Sequence, residues 1–419
     1  MTSSDVVTDI ERDVMADSKA GRARKAAGSM GLVAPMERPA PAQAPRPDEE
    51  WQLPHGRAVV YYGQGQQGVV RPVVLADGFN LGPSDFDWLW DGLENGRFPF
   101  ISELRRRGRT LVLVGFDERS ESILRNAETM TAAIMRTIAE QLDDTRLFVG
   151  GFSMGGIVAR YALAKMETQR MDHRVGVYAS FDSPHRGAWV PIGLQALAHY
   201  LADAGDDTYL RQIGSPASQQ MLWRHLDALD GTPKESPLRK EFKEQLERVG
   251  GWPQIPHLIG VSSGRGDGVG NGVRAGAKAL TCAGPLFDGT YFLAQSKGEA
   301  AEVAVLDGVL GGPYTITTSG FPELDGAPGG TLESFGIVGD TLKAFGEDVD
   351  MVHRSVCFVP SVSAVAVRDL DRQENLYVNI DELSPEESEL NDYLLSGDND
   401  PHAIMTPEIG EWVLDRLPD

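Results

Sequence analysis

The stretch that most limits how this chain can fold is Gly151-Phe152-Ser153-Met154-Gly155. Before it runs Leu147-Phe148-Val149, a short apolar segment that predicts a buried strand. After it, Ile157, Tyr161 and Ala164 recur at helical spacing, with Val158 and Ala162 beside them. A strand that turns into a helix across five residues brings the two backbones too close for a Cβ at either flank, so glycine is required two residues before and two after the centre. Such a turn holds Ser153 on a strained corner at the end of a sheet. It also leaves the Met154 N–H at a helix N-terminus, where it can stabilise a developing negative charge.

Around this corner the chain alternates. Strands are predicted at 58–62, 69–76, 110–115, 175–180 and 256–263, and the last strong one at 356–367. The elbow helix and a long helix over 121–142 fall between them, the latter with Ile123, Ala127, Met130, Ile134 and Ile138 on one face. Alternation of this kind predicts an α/β class fold, a mostly parallel sheet flanked by helices. Three amphipathic runs in 189–250 read as a helical cap, and glycine-rich residues 269–350 as an insertion of loops and short β structure. Residues 1–50, with an Ala/Pro-rich stretch at 34–47, read as a flexible tail and linker before a domain spanning 51–419. The aromatic segment Phe86 to Leu93 is expected near the entrance of the site.

A net charge of −22 excludes the basic stripe that nucleic-acid binding requires and disfavours docking on anionic membranes. No apolar run is long enough to span a bilayer, and Met1 to Ile10 lacks the basic-then-apolar pattern of a secretory leader, which predicts a cytoplasmic location. Cys282 and Cys357 are expected as free buried thiols. No pattern of ligands points to a metal or a cofactor, and none is expected; Gly264 to Gly272 lacks the Lys-Ser/Thr ending of a phosphate loop.

A serine hydroxyl needs a base to take its proton, usually a histidine oriented by a carboxylate. In a parallel sheet the working residues sit at the carboxyl ends of strands. That rule sorts the eight histidines. His173, His257 and His353 lie at strand starts, His199 and His225 in the cap, and His55 in the leader. His185 follows a strand but precedes any later acid. His402 follows the last strand and stands just before the closing helix at 406–417, which makes it the candidate base. For the acid, Asp267 comes first because it follows the strand at 256–263 and lies between Ser153 and His402 in sequence. Asp182 is the alternative, and Asp369 and Asp371 are further candidates.

The segments Gly151-Phe-Ser-Met-Gly-Gly156 and Asp182-Ser-Pro-His-Arg-Gly187 resemble the α/β-hydrolase lipases and esterases. Within these they look like the triacylglycerol-lipase and PGAP-like group, where a serine elbow is followed by an Asp-Ser/Thr-Pro-His-x-Gly loop. The likeness covers roughly residues 57–263 and the C-terminal strand, histidine and helix. It implies Ser153 as nucleophile, His402 as base, and the Met154 and Phe79 amides as oxyanion donors. In that family the position of Asp182 is more often structural, which ranks it behind Asp267. Two departures bear on substrate class: Asp77 where many lipases carry histidine, and the insertion at 269–350. The resulting expectation is a serine hydrolase of carboxylic esters working through an acyl-enzyme on Ser153, with a small-molecule or lipid ester as its partner. The alternatives are an acyltransferase or amidase using the same residues, and a non-catalytic binding or assembly protein on a hydrolase scaffold.

Overall fold

The computed structural model of the protein describes residues 40–203 and 207–419. At its centre lies an eight-stranded sheet. Its strands in chain order are β1 (Glu49–Leu53), β2 (Gly56–Tyr61), β3 (Val73–Ala76), β4 (Leu111–Phe116), β5 (Leu147–Phe152), β6 (Val175–Phe181), β7 (His257–Ser262) and the late strand Asp392–Leu395. They are ordered β1-β2-β4-β3-β5-β6-β7 with the late strand at the edge. β1 and β2 are antiparallel to their neighbours and all other pairings are parallel. This is the α/β-hydrolase architecture, with helices on both faces.

Strand residues divide between the faces with the period of two that a pleated strand imposes. Val74, Ala76, Val112 and Val114 pack with the elbow helix (Met154–Thr168) and the helix Ile123–Glu140. Val73, Leu75, Leu111 and Leu113 face the opposite layer, formed by the helices Phe86–Glu94, Phe100–Arg106 and Pro407–Leu414. The closing helix begins as its sequence dictates: Thr406 caps the Ile409 N–H at 3.3 Å, and Pro407 occupies the first turn, where its missing N–H costs nothing.

Four differences from the sequence reading affect the site. Residues 44–50 are tied to the domain: the Ala44 N–H donates to Asp87 Oδ1 at 2.9 Å, the Tyr61 hydroxyl donates to the Pro45 carbonyl, and β1 starts at Glu49. The first 39 residues of the expected tail lie outside the described residues. The apolar run 356–367 is a strand only over Val356–Pro360, then turns into the short helix Ser361–Ala364. That strand pairs with Gly329–Leu332 in a separate two-stranded sheet. The eighth strand of the central sheet is instead Asp392–Leu395, where no strand was predicted.

The insertion is more regular than its glycine content suggests. A five-stranded antiparallel sheet runs through Lys278–Cys282, Tyr291–Leu293, Ala301–Leu306, Tyr314–Thr318 and Val349–Met351, with the helix Ser334–Ala344 against it. The expected cap region contains four helices, Ile192–Asp203, Thr208–Ile213, Pro216–Met221 and Pro237–Arg248. Both cysteines are free and buried, and no helix among the described residues is long and apolar enough to cross a membrane.

Candidate active site

Ser153 sits between β5 and the elbow helix with φ 53° and ψ −119°, a left-handed conformation that strains an L-residue. The corner closes because of its glycines. A Cβ on Gly151 would stand 2.6 Å from the Gly155 carbonyl oxygen. One on Gly155 would stand 2.5 Å from the carbonyl oxygens of both Ala76 and Asp77. The second glycine therefore brings the end of β3 against the elbow helix. The Ser153 N–H is anchored to the Phe181 carbonyl on β6 at 2.8 Å. Met154 is the first helical residue, so its N–H has no acceptor within the helix.

The loop after β3 wraps this corner. A Cβ on Gly78 would make ordinary contact with the Ser153 Cβ, at 3.5 Å. Asp77 Oδ1 accepts the Gly78 N–H at 2.7 Å, which turns the loop, and among the described residues no acceptor is bonded to the Phe79 N–H. Asp77 Oδ2 is buried without a hydrogen-bond partner, and Arg119 Nη1 stands 3.6 Å away. Burial pushes the Asp77 carboxyl up, and the Arg119 charge opposes that shift. Arg119 also donates to the Leu81 and Gly82 carbonyls, at 3.2 and 3.4 Å, so one cation both faces the aspartate and holds the loop.

His402 lies seven residues past the eighth strand, and its carboxylate partner is Asp182. Nδ1 of His402 is 2.6 Å from Asp182 Oδ2. Asp182 ends β6 in a left-handed conformation (φ 50°) and is 1% exposed. Its other oxygen accepts the Ser263 N–H at 3.0 Å, and Oδ2 also takes the Ala403 N–H at 3.3 Å. A buried carboxylate with three donors is compensated and rigid. With Nδ1 committed, Nε2 of His402 is left buried and without a hydrogen-bond partner.

Asp267, placed first from the sequence, is elsewhere engaged and does not meet His402. It lies five residues beyond the end of β7, and its carboxylate is clamped by the Arg265 guanidinium two residues earlier. It also accepts the Val269 N–H at 3.1 Å, and the Arg265 hydrogen bonds hold its carboxyl down at about 2. The expectation that Asp267 orients the histidine is therefore corrected in favour of Asp182. Asp371 is spent on Trp223 and Arg224, both at 3.1 Å.

The inserted segment holds the histidine loop. The His402 N–H donates to the Thr331 carbonyl at 2.8 Å, and the Thr331 N–H donates to the Asp400 carbonyl at 2.9 Å. The Phe358 ring packs edge-on against the imidazole, centroids 4.8 Å apart. Gly330, beside Thr331, leaves the room that the Asp182 carboxylate occupies. Sequence reasoning missed Thr331 and Gly330, because only the pairing of Gly329–Leu332 with Val356–Pro360 brings them to the site.

Ser153 and His402 line one cleft of about 880 Å³. Its floor and one wall come from Gly78, Phe79, Phe152, Trp88 and Leu89, which places the aromatic helix Phe86–Glu94 at the site as expected. The facing wall is Leu332, Ile337 and Phe358, from the insertion and the strand paired with it. No described residue of 189–250 lines this cleft, although a helical cap was expected there. Among the described residues, no group of three or more His, Cys, Asp or Glu is placed to hold a metal ion.

No protein-family model matches the chain, and no curated protein matches it. Among solved structures, a Xanthomonas campestris α/β serine hydrolase without a lid is similar at 19% identity over 34% of this chain and 64% of its own, with a TM-score of 0.26. A Bacillus licheniformis lipase in its mature form is similar at 13% identity, covering 52% of this chain and 73% of that one, with a TM-score of 0.29. A Pyrobaculum calidifontis esterase is similar at 15% identity over 60% of this chain and 81% of its own, with a TM-score of 0.27.

Proposed function

We propose that the protein is a serine hydrolase of carboxylic esters, with Ser153 as nucleophile, His402 as base and Asp182 as the acid that orients it. The observation that carries this reading is His402 itself. One ring nitrogen is bound to a buried carboxylate, and the other is unpartnered at a cleft shared with a strained serine.

In this mechanism Asp182 holds the imidazole proton on Nδ1, so that Nε2 is basic. Nε2 takes the Ser153 proton as Oγ attacks the ester carbonyl. The negative charge that develops on the carbonyl oxygen is met by the Met154 and Phe79 N–H groups, donors of a kind worth about 3 kcal/mol each to the transition state. Collapse of the tetrahedral adduct breaks the ester C–O bond, and His402 gives its proton to the leaving alcohol. Water then attacks the acyl-enzyme with His402 again as base, releasing the carboxylic acid and restoring Ser153. Phe79, Phe152, Leu332, Ile337 and Phe358 give the cleft walls that favour an apolar acyl or alcohol group.

A panel of p-nitrophenyl esters graded by acyl length tests the reading. Turnover by the native chain that disappears in Ser153→Ala is expected. Turnover that survives Ser153→Ala contradicts it. A native chain that hydrolyses no ester but transfers an acyl group to an added alcohol or amine would keep the nucleophile and reject the reaction class.

A further inference from the structure

A second cleft, of about 680 Å³, opens between the helix Pro237–Arg248 and the elbow helix, and it shares no lining residue with the Ser153 cleft. Its inner end is built from Arg160 on the elbow helix, His185 and Arg186 on the loop after β6, and Trp252. Arg160 is 7% exposed, and its guanidinium lies 3.5 Å from the centroid of the Trp252 ring. Only its Nε is spent, on the Gly251 carbonyl at 2.7 Å. Among the described residues no carboxylate pairs with it, and desolvation by burial lowers its pKa to about 10.

Two more nitrogens of this cleft lack acceptors. His185 packs on the same Trp252 ring, with centroids 4.7 Å apart; its Nε2 is 3.0 Å from Ser180 Oγ, and its Nδ1 is buried and unpartnered. Arg186 Nε is likewise buried without a partner, although Arg186 Nη2 pairs with Glu389 at 3.3 Å. Buried polar groups are nearly always satisfied, so two buried unpartnered nitrogens, His185 Nδ1 and Arg186 Nε, beside an Arg160 whose Nη groups bond no acceptor among the described residues, call for a group from outside the chain. The remaining charges do not supply it. Arg224 pairs with Asp371 and Lys243 with Glu235, while the unpaired carboxylates Glu247 and Asp369 are exposed.

We propose that this cleft binds a small oxyanion, the carboxylate or phosphate group of a ligand, held between Arg160, His185 and Arg186 beside Trp252. Arg160 presents its two free Nη groups, the geometry that suits a bidentate oxyanion. Burial and the two neighbouring arginines push the His185 pKa well down, so the ring is neutral. In the tautomer that accepts the Ser180 hydroxyl at Nε2, the ring presents Nδ1–H to the cleft.

Isothermal titration of the native chain with sodium phosphate, and separately with sodium acetate, in chloride buffer of matched ionic strength tests the site. Saturable binding of at least one anion is expected, and which one binds identifies the phosphoryl or the carboxyl source. Binding should weaken about tenfold or more in His185→Phe, which keeps a ring against Trp252 and removes the imidazole nitrogens, and should be lost in Arg160→Gln. It should be unchanged in Ser153→Ala. Far-UV circular dichroism checks that the variants fold; if Arg160→Gln does not, His185→Phe decides. No saturable binding of either anion overturns the proposal. So does binding that His185→Phe leaves intact, or binding lost in Ser153→Ala, which would place the anion in the other cleft.

Discussion

Substituting Gly330 by alanine tests whether Asp182 works through His402, without touching either residue. A Cβ at position 330 would stand 2.9 Å from Asp182 Cγ and 3.2 Å from Oδ1, and closer still to Oδ2, the oxygen bound to His402. Ordinary carbon contacts begin near 3.4 Å. Either the carboxylate retreats or the strand bearing residue 330 moves. A retreat of about 1 Å takes the 2.6 Å hydrogen bond to roughly 3.6 Å, where it no longer counts as one. If the strand moves instead, it carries the Thr331 carbonyl that holds the His402 N–H. Both routes release the imidazole. Loss of the orienting acid costs about 10⁴-fold in kcat, some 5 kcal/mol, when the wrong tautomer results. Partial relaxation leaves an expected loss of about 10²- to 10⁴-fold, with about 1–3 kcal/mol of overpacking destabilisation. Gly397, where a Cβ meets nothing within 4 Å, is the matched control and should keep full activity as alanine. Initial rates on an activated ester, with thermal melts to confirm folding, give the answer. A folded Gly330→Ala within threefold of native kcat would mean that the Asp182–His402 contact does not drive the reaction.

Asp182→Asn should lower kcat by about 10³- to 10⁴-fold at pH 7, and Asp267→Asn should stay within about threefold of native in the same ester assay; the reverse ranking would restore Asp267 as the acid. Burial raises the Asp325 carboxyl, which accepts the Trp189 indole N–H and the Gln295 amide, to about 6. The native state therefore holds this proton more tightly than the unfolded chain. The group's contribution to stability is full below about pH 4, falls as pH rises towards 6, and is constant beyond, a change of about 3 kcal/mol. Urea unfolding of native chain and Asp325→Asn at pH 4, 5, 6 and 7 should show the gap between them narrowing as pH rises; a constant gap would contradict the assignment.

Ser153 was legible because its demands are local: two glycines, a buried strand before and a helix after are all within 20 residues. His402 followed from one topological rule, that working residues stand at strand ends. Asp267 was ranked ahead of Asp182 because two strand ends compete, and only the three-dimensional facing of β6 and the His402 loop shows which carboxylate meets the imidazole. A local signal did exist. Asp182 abuts a buried strand with no cation beside it, whereas Asp267 has Arg265 two residues away, ready to occupy it. The run 356–367 misled because a continuous apolar stretch carries no period, and Pro360-Ser361 turns it from strand to helix. Asp392–Leu395 escaped notice as a four-residue, half-buried edge strand with aspartate at its start. The cleft wall formed by Leu332 and Ile337 lies far from Ser153 in sequence, and no periodicity in the insertion announces it.

The central claim is that Ser153 is an activated nucleophile driven by His402 and Asp182. Its most direct test is labelling with a fluorophosphonate, followed by intact-mass and peptide mapping, on the native chain and on Ser153→Ala, His402→Ala and Asp182→Asn. One adduct per chain on the Ser153 peptide is predicted, absent from Ser153→Ala and slowed by orders of magnitude in the other two. An adduct on another residue, or labelling of Ser153 at an unchanged rate without His402, would contradict the account.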